Sequence, residues 1–204
     1  ITMASTSERI VKVLVVGDTA TGKTSIIKQC VYSQFSEEHI ATATVDFTVK
    51  LMTRGDTTYR VQLWDIAGQD RFQTISRVYY RNAQAAFVVC DCTRKETLTN
   101  AVKWKSQVGE KVLLSNGEAL PVILLVNKCD IPDNGMTDEE INAVCKQCGI
   151  QQWFRTSAKS GENISASMEK MLDEVIAHNA VGVEEPKEDV VVAETAEAPK
   201  KGCC

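Results

Sequence analysis

Between positions 17 and 24 the chain reads Gly17-Asp18-Thr19-Ala20-Thr21-Gly22-Lys23-Thr24: two glycines around four residues, then lysine and threonine. Those residue types at that spacing suit the gripping of a phosphate. The backbone N–H groups of Thr19, Ala20, Thr21, Gly22, Lys23, Thr24 and Ser25 can form a nest for an anion. A helix opening at that point adds the positive end of its dipole. Lys23 is long enough to reach β- and γ-phosphates, and the Thr24 hydroxyl is an oxygen ligand of the kind Mg²⁺ takes. The plain alternative is a strand-to-helix turn with a chance lysine. A second string, Asn127-Lys128-Cys129-Asp130, follows an apolar run. Guanine presents N1–H and N2–H donors side by side, and one carboxylate, that of Asp130, can accept both. Adenine lacks the pair and would leave the carboxylate unsatisfied. Alone, such a string is commonly a solvated loop; downstream of a phosphate grip it reads as a choice of base.

Both strings need elements that bring them to one edge of a sheet. Ile10–Val16 is β-branched and apolar apart from Lys12, the pattern of a central strand covered on both faces. The glycine-rich turn follows it, and Lys23–Tyr32 reads as a helix. Phe47–Met52 and Tyr59–Trp64 alternate in polarity around Arg54-Gly55-Asp56, a hairpin signal. Ala85–Asp91 and Pro121–Asn127 read as further buried strands, with a helix over Glu96–Val108 between them and a turn at Asn116-Gly117. Two more amphipathic helices, Asp138–Gln147 and Asn163–His178, surround a short strand near Trp153–Thr156. Strands alternating with helices predict a doubly wound α/β sheet with its ligand at the carboxyl ends of the strands.

Composition narrows the class. The 204 residues suit one domain with a tail, and 44% hydrophobic with 25% charged residues suits a chain with a real core. A formal net charge of −4 argues against nucleic acid as a partner. The eight cysteines are not preceded by a signal-peptide pattern, so they are expected as reduced cytosolic thiols. No apolar run is long enough to span a bilayer. Residues 1–7 are expected to be a disordered lead-in, with Ile1 and Thr2 ahead of Met3, and 8–180 the folded domain. Residues 181–204, rich in Glu, Ala, Val and Pro without aromatics, are expected to be a disordered tail. Cys145 and Cys148 form a lone CxxC, read as small hydrophobes at helical spacing rather than a zinc site.

With Trp64-Asp65-Ile66-Ala67-Gly68-Gln69 and Thr156-Ser157-Ala158-Lys159 added, the chain resembles the Ras superfamily of small GTPases over about residues 8–180. Ala41-Thr42-Ala43-Thr44-Val45-Asp46-Phe47, Gln69-Asp70-Arg71-Phe72 and the terminal Cys203-Cys204 narrow the resemblance to Rab proteins. Ile66, Arg77-Val78-Tyr79-Tyr80 and Trp104-Lys105-Ser106 are similar to the Rab branch serving lysosome-related organelles.

That resemblance implies a three-layer phosphate-loop NTPase fold. Its mixed six-stranded sheet is mostly parallel with one antiparallel edge strand, and carries helices on both faces. It implies a GTP/GDP switch in vesicle traffic that uses Mg²⁺ and hydrolyses GTP slowly. Thr24 and Thr42 would ligate the metal and Asp65 would hold it through water. Thr42 and Gly68 would sense the γ-phosphate, and Gln69 would orient the attacking water. Phe35 would lie against the guanine ring, Lys128 along it beside Asn127 and Asp130, and the Ala158 amide, between Ser157 and Lys159, would reach guanine O6. In isolation Phe35 would read as core and Lys128 as a solvated lysine. Phe47, Trp64 and Tyr79 match an effector-binding aromatic triad, which a buried aromatic core would explain equally well. The implied partners are an exchange factor, a GTPase-activating protein, a prenylation escort or dissociation inhibitor, and effectors, with the chain itself a monomer. Cys203 and Cys204 would carry two geranylgeranyl groups, since one chain anchors only marginally and two make a stable attachment. The chain would then sit reversibly on the cytosolic face of endosome- or lysosome-related membranes, with Lys200 and Lys201 adding a weak attraction to anionic lipid.

Two departures bear on rate. Thr44 stands where Rabs usually have glycine, and Thr19-Ala20-Thr21 is bulkier than in many relatives. Both suggest an alternative, a nucleotide-locked effector-binding module with little hydrolysis. A third reading, another phosphate-loop enzyme such as an ATPase or nucleotide kinase, is opposed by Asn127–Asp130.

Overall fold

Strand β1, Ser7–Gly17, begins exposed and from Val13 onward is wholly buried. It ends buried because it lies between two parallel neighbours: β3 pairs along it from Ser7 to Val15, and β4 from Val13 to Gly17. In this computed structural model the described residues are 7–36, 46–66, 77–132 and 135–178, the side chains of Asp46, Arg77 and Val78 excepted. Along the chain they form β1, α1 (Lys23–Tyr32), β2 (Asp46–Arg54), β3 (Thr57–Asp65), α2 (Arg77–Tyr80), β4 (Ala85–Asp91), α3 (Lys95–Lys111), β5 (Val122–Asn127), α4 (Asp138–Cys148), β6 (Gln152–Arg155) and α5 (Ile164–Ala177).

The sheet order is β2-β3-β1-β4-β5-β6, with β2 antiparallel at one edge and every other pair parallel. This is the mixed six-stranded sheet predicted above. Helices α1 and α5 pack together, with α1 against β1, β2 and β3, while α3 packs with α2 and α4 and against β1, β4 and β5. The sheet is therefore covered on both faces, and all seven residues of β4 are buried. Among the described residues no helix is long and apolar enough to cross a membrane.

The hairpin strands run longer than the alternation suggested, reaching Asp46–Arg54 and Thr57–Asp65, because the β2–β3 ladder stays paired to the last residue before Gly55. Helix α2 went unanticipated, since four residues are too few to show a helical period. Helix α4 starts at a full capping box, Thr137 with Glu140, worth about 1 kcal/mol. Helix α1 has no side-chain cap; its N-cap is Gly22 in the left-handed region.

Candidate functional site

Four strands end side by side in a polar or glycine residue: Gly17 on β1, Asp65 on β3, Asp91 on β4 and Asn127 on β5. They face the crevice where β1 sits between β3 and β4 and the strand order reverses, the usual place for a ligand in an open α/β sheet.

The phosphate loop depends on both of its glycines. Gly17 has φ +145°, and a Cβ there would lie 2.2 Å from the Val89 carbonyl oxygen on β4. Gly22 has φ +95°, and a Cβ there would lie 2.3 Å from Asn127 Nδ2. Ala20, between them, is also left-handed at φ +64°. Lys23 is buried, and its Nζ donates to the carbonyls of Gly17 (3.0 Å) and Asp18 (3.1 Å). Burial pushes its pKa down to about 8, against the opposing pull of Asp65 and Asp18. The Thr24 hydroxyl donates to Asp65 Oδ2 at 2.5 Å, so a hydroxyl and a carboxylate oxygen converge at the opening of α1. Oxygen donors of this kind fit Mg²⁺.

At the other end of the crevice, Asn127 is 1% exposed and works as a joint. Its Nδ2 donates to the Thr21 carbonyl at 2.9 Å, and its Oδ1 accepts from the Ala158 amide at 3.1 Å. The amide that the resemblance assigns to guanine O6 therefore also ties this loop to β5. Asp130 is exposed, with Oδ1 held by the Ser157 hydroxyl at 2.6 Å. Ser157 Oγ in turn accepts from the amides of Lys159 (3.2 Å) and Ser160 (3.0 Å). A cleft of about 280 Å³ has Ala20 and Gly22 at one side, Asp130 and Ala158 at another, and Phe35 and Lys128 along it. Residues of the Gly17–Thr24 string and of the Asn127–Asp130 string thus line one cavity. Phe35 is 39% exposed, so the core reading of that residue fails.

Phe47, Trp64 and Tyr79 are also brought together. Phe47 stacks on Trp64 with centroids 5.0 Å apart, and Trp64 meets Tyr79 at 6.4 Å. Phe47 is 45% exposed, whereas Trp64 and Tyr79 are half-buried against the core. One ring of the three is thus exposed while the other two pack against the core. Cys145 is buried and Cys148 half-buried on α4, and burial pushes the Cys145 thiol up to about 11. Thr42, Thr44, Gly68, Gln69, Cys203 and Cys204 lie outside the described residues.

Sequence reasoning missed three residues. Asp18 is 3% exposed and accepts from Asn100 Nδ2 (2.7 Å) and Trp104 Nε1 (2.9 Å), which fastens the phosphate loop to α3. Asp91 and Arg94 bridge the two halves of the site. The available signal was a lone aspartate closing an otherwise apolar buried strand, as Asn127 does one strand over.

The Ras family profile matches residues 12–177. Ras-related protein Rab-32 of Homo sapiens is 41% identical over 204 residues, covering 98% of this chain and 91% of that protein. Ras-related protein Rab-7L1 of Homo sapiens is 38% identical over 173 residues, 84% of this chain and 85% of that one. Rab-32A of Dictyostelium discoideum is 41% identical over 177 residues, 85% and 81% respectively. This chain belongs to the Rab group of the Ras family. It is a GTPase and a GTP-binding switch of membrane traffic, as the family is. Family membership leaves the nucleotide-locked alternative without support.

In this Rab, the depressed Lys23 pKa sets a pH dependence. A phosphate beside Lys23 raises its pKa from about 8, so the binding contribution is fully present below about 8. It is lost as pH rises toward the bound-state pKa, by about tenfold in affinity per pH unit. Titrating GDP affinity from pH 7 to 9.5 checks this; a flat profile above pH 8 would show that Lys23 does not meet the phosphate.

Proposed function

We propose that this Rab recruits effectors in its GTP state at endosome- or lysosome-related membranes, and that the residues assigned above carry out the cycle. The observation that supports the reading is one cleft lined by Ala20 and Gly22 together with Asn127, Lys128, Asp130 and Ala158. The phosphate-loop amides and Lys23 bind and orient the triphosphate, while Asp130 accepts the guanine N1–H and N2–H. Thr24, Thr42 and, through water, Asp65 would hold Mg²⁺, which when bound would neutralise charge developing on the triphosphate.

Gln69 orients the water that attacks the γ-phosphate. Little covalent chemistry falls to the protein, so positioning and charge stabilisation set the rate. Arg94 Nη2 is engaged with the Thr19 carbonyl, and among the described residues no arginine is placed as a finger, which favours slow intrinsic turnover. An arginine supplied by an activating protein would add roughly 10³–10⁵-fold. Loss of the γ-phosphate frees Thr42 and Gly68 and with them both switches. Phe47, Trp64 and Tyr79 form part of the effector surface, and geranylgeranyl groups on Cys203 and Cys204 supply the anchor. The organelle assignment rests on the resemblance of Ile66, Arg77-Val78-Tyr79-Tyr80 and Trp104-Lys105-Ser106 to the Rab branch serving lysosome-related organelles.

Denaturing the purified protein and identifying what it releases tests the cleft directly. GDP or GTP is expected, and an adenine nucleotide would overturn the assignment. Single-turnover phosphate release from the GTP-loaded chain, slow alone and faster with an activating protein, tests the cycle.

A further inference from the structure

Two non-glycine residues of the site hold left-handed backbones, Ala20 at φ +64° in the phosphate loop and Lys128 at φ +69° in the base-reading loop. Such a conformation is strained and persists where the surroundings over-determine it. One pair of side chains reaches both places. The Asp91 carboxylate, 1% exposed at the end of β4, accepts from Lys128 Nζ at 2.7 Å and from Arg94 Nε at 3.1 Å. Arg94 Nη2 then donates at 2.9 Å to the carbonyl of Thr19, the peptide that enters Ala20. Thr93 completes the carboxylate through its amide (3.0 Å) and hydroxyl (2.7 Å).

We propose that Asp91 and Arg94 form a strut that locks the guanine-reading loop to the phosphate loop and so sets how long the nucleotide stays bound. They are positioning residues: Asp91 acts through Lys128, and Arg94 through the Thr19–Ala20 peptide. The strut rests on the nucleotide reading above and deepens it. Asn127 makes a separate link between the same loops, from its amide to Thr21. The strut differs in being charged and in reaching the surface, the Arg94 side chain being 37% exposed and that of Lys128 34%. The Asp91 carboxyl is pushed up by its burial, but the hydrogen bonds from Lys128 and Thr93 outweigh this and hold it below the usual carboxylate range. Asp91 is therefore ionised at neutral pH.

The test uses the full chain loaded with a fluorescent GDP analogue in excess Mg²⁺ and chased with unlabelled GDP, with thermal midpoints measured in parallel. Asp91→Asn keeps the shape and removes the charge, and should release roughly tenfold faster. Arg94→Gln, at the exposed end, should release roughly threefold faster, and the double variant little faster than Asp91→Asn alone, because one strut breaks only once. Thermal midpoints should not follow this order, which separates positioning from a general loss of structure. If Asp91→Asn does not fold, Arg94→Gln carries the test by itself. Release at the wild-type rate by Arg94→Gln, or independent effects that multiply, would overturn the strut. A wild-type chain that cannot hold the GDP analogue would overturn the nucleotide reading and the strut together.

Discussion

Lys23→Ala should weaken GDP binding by about 10²–10⁴-fold while leaving the thermal midpoint of the nucleotide-free protein within a few degrees of wild type. The first half follows from removing one partner of a buried charge pair, which costs about 3–5 kcal/mol. The second half follows from the cost of burying the lysine. Its pKa of about 8, against the 10.5 usual for lysine, means that holding the charged form inside costs about 3 kcal/mol at neutral pH. For a lysine depressed in this way the cost is present in full below about 8 and fades as pH rises toward 10.5. Against it stands the packing of the lysine's buried methylene stem, which alanine would lose and which is worth a similar amount. The two nearly cancel, so the residue serves binding at little net effect on stability. Isothermal titration and a thermal melt of the nucleotide-free chain check the two halves. A variant that binds normally, or one that simply unfolds, would contradict this balance.

Gly17→Ala should do the opposite and fail as a structural lesion. The added carbon would lie 2.2 Å from the Val89 oxygen, a backbone atom on the neighbouring central strand, and no rotamer can move it away. Gly17 pairs with Val89 in the β1–β4 ladder, so relief requires parting two buried strands. Overpacking adds about 1–3 kcal/mol, and the φ of +145° adds a similar amount. The sum, about 2–6 kcal/mol, is a large part of an ordinary domain's stability and should lower the thermal midpoint by about 5–20 °C. Gly109 supplies the control. It lies within α3, where a Cβ would meet nothing within 4 Å, so Gly109→Ala should hold or raise the midpoint. Equal effects of the two substitutions would show that the close approach to Val89 is not what requires glycine.

The strand ends that carry Gly17–Thr24 and Asn127–Asp130 were legible in the sequence for a physical reason. Both sit at strand ends, and strands buried on both faces announce themselves as continuous apolar runs: β4 covers Ala85–Asp91, the run as read, and α1 covers Lys23–Tyr32. What could not be read were partnerships across the fold. Asp18 meets Trp104 across 86 positions and Arg94 meets Thr19 across 75, and no local periodicity records such pairs. Asn127 was legible as a site residue but not as the joint between Thr21 and Ala158 that its burial makes it. The aromatic triad was ambiguous for a similar reason: composition cannot tell a core cluster from an exposed one, and here Phe47 opens to solvent while its two partners do not.

The central claim is that Asp130, fixed by Ser157, selects guanine for a triphosphate gripped around Lys23. Asp130→Asn tests it most directly, through the ratio of affinities for GDP and the xanthosine diphosphate. Xanthine carries a carbonyl where guanine has its amino group, so a carboxamide at position 130 can donate where the carboxylate could only accept. Wild type should prefer guanosine and the variant xanthosine, with the ratio moving by about 10³-fold or more. An unchanged preference for guanosine would contradict the account.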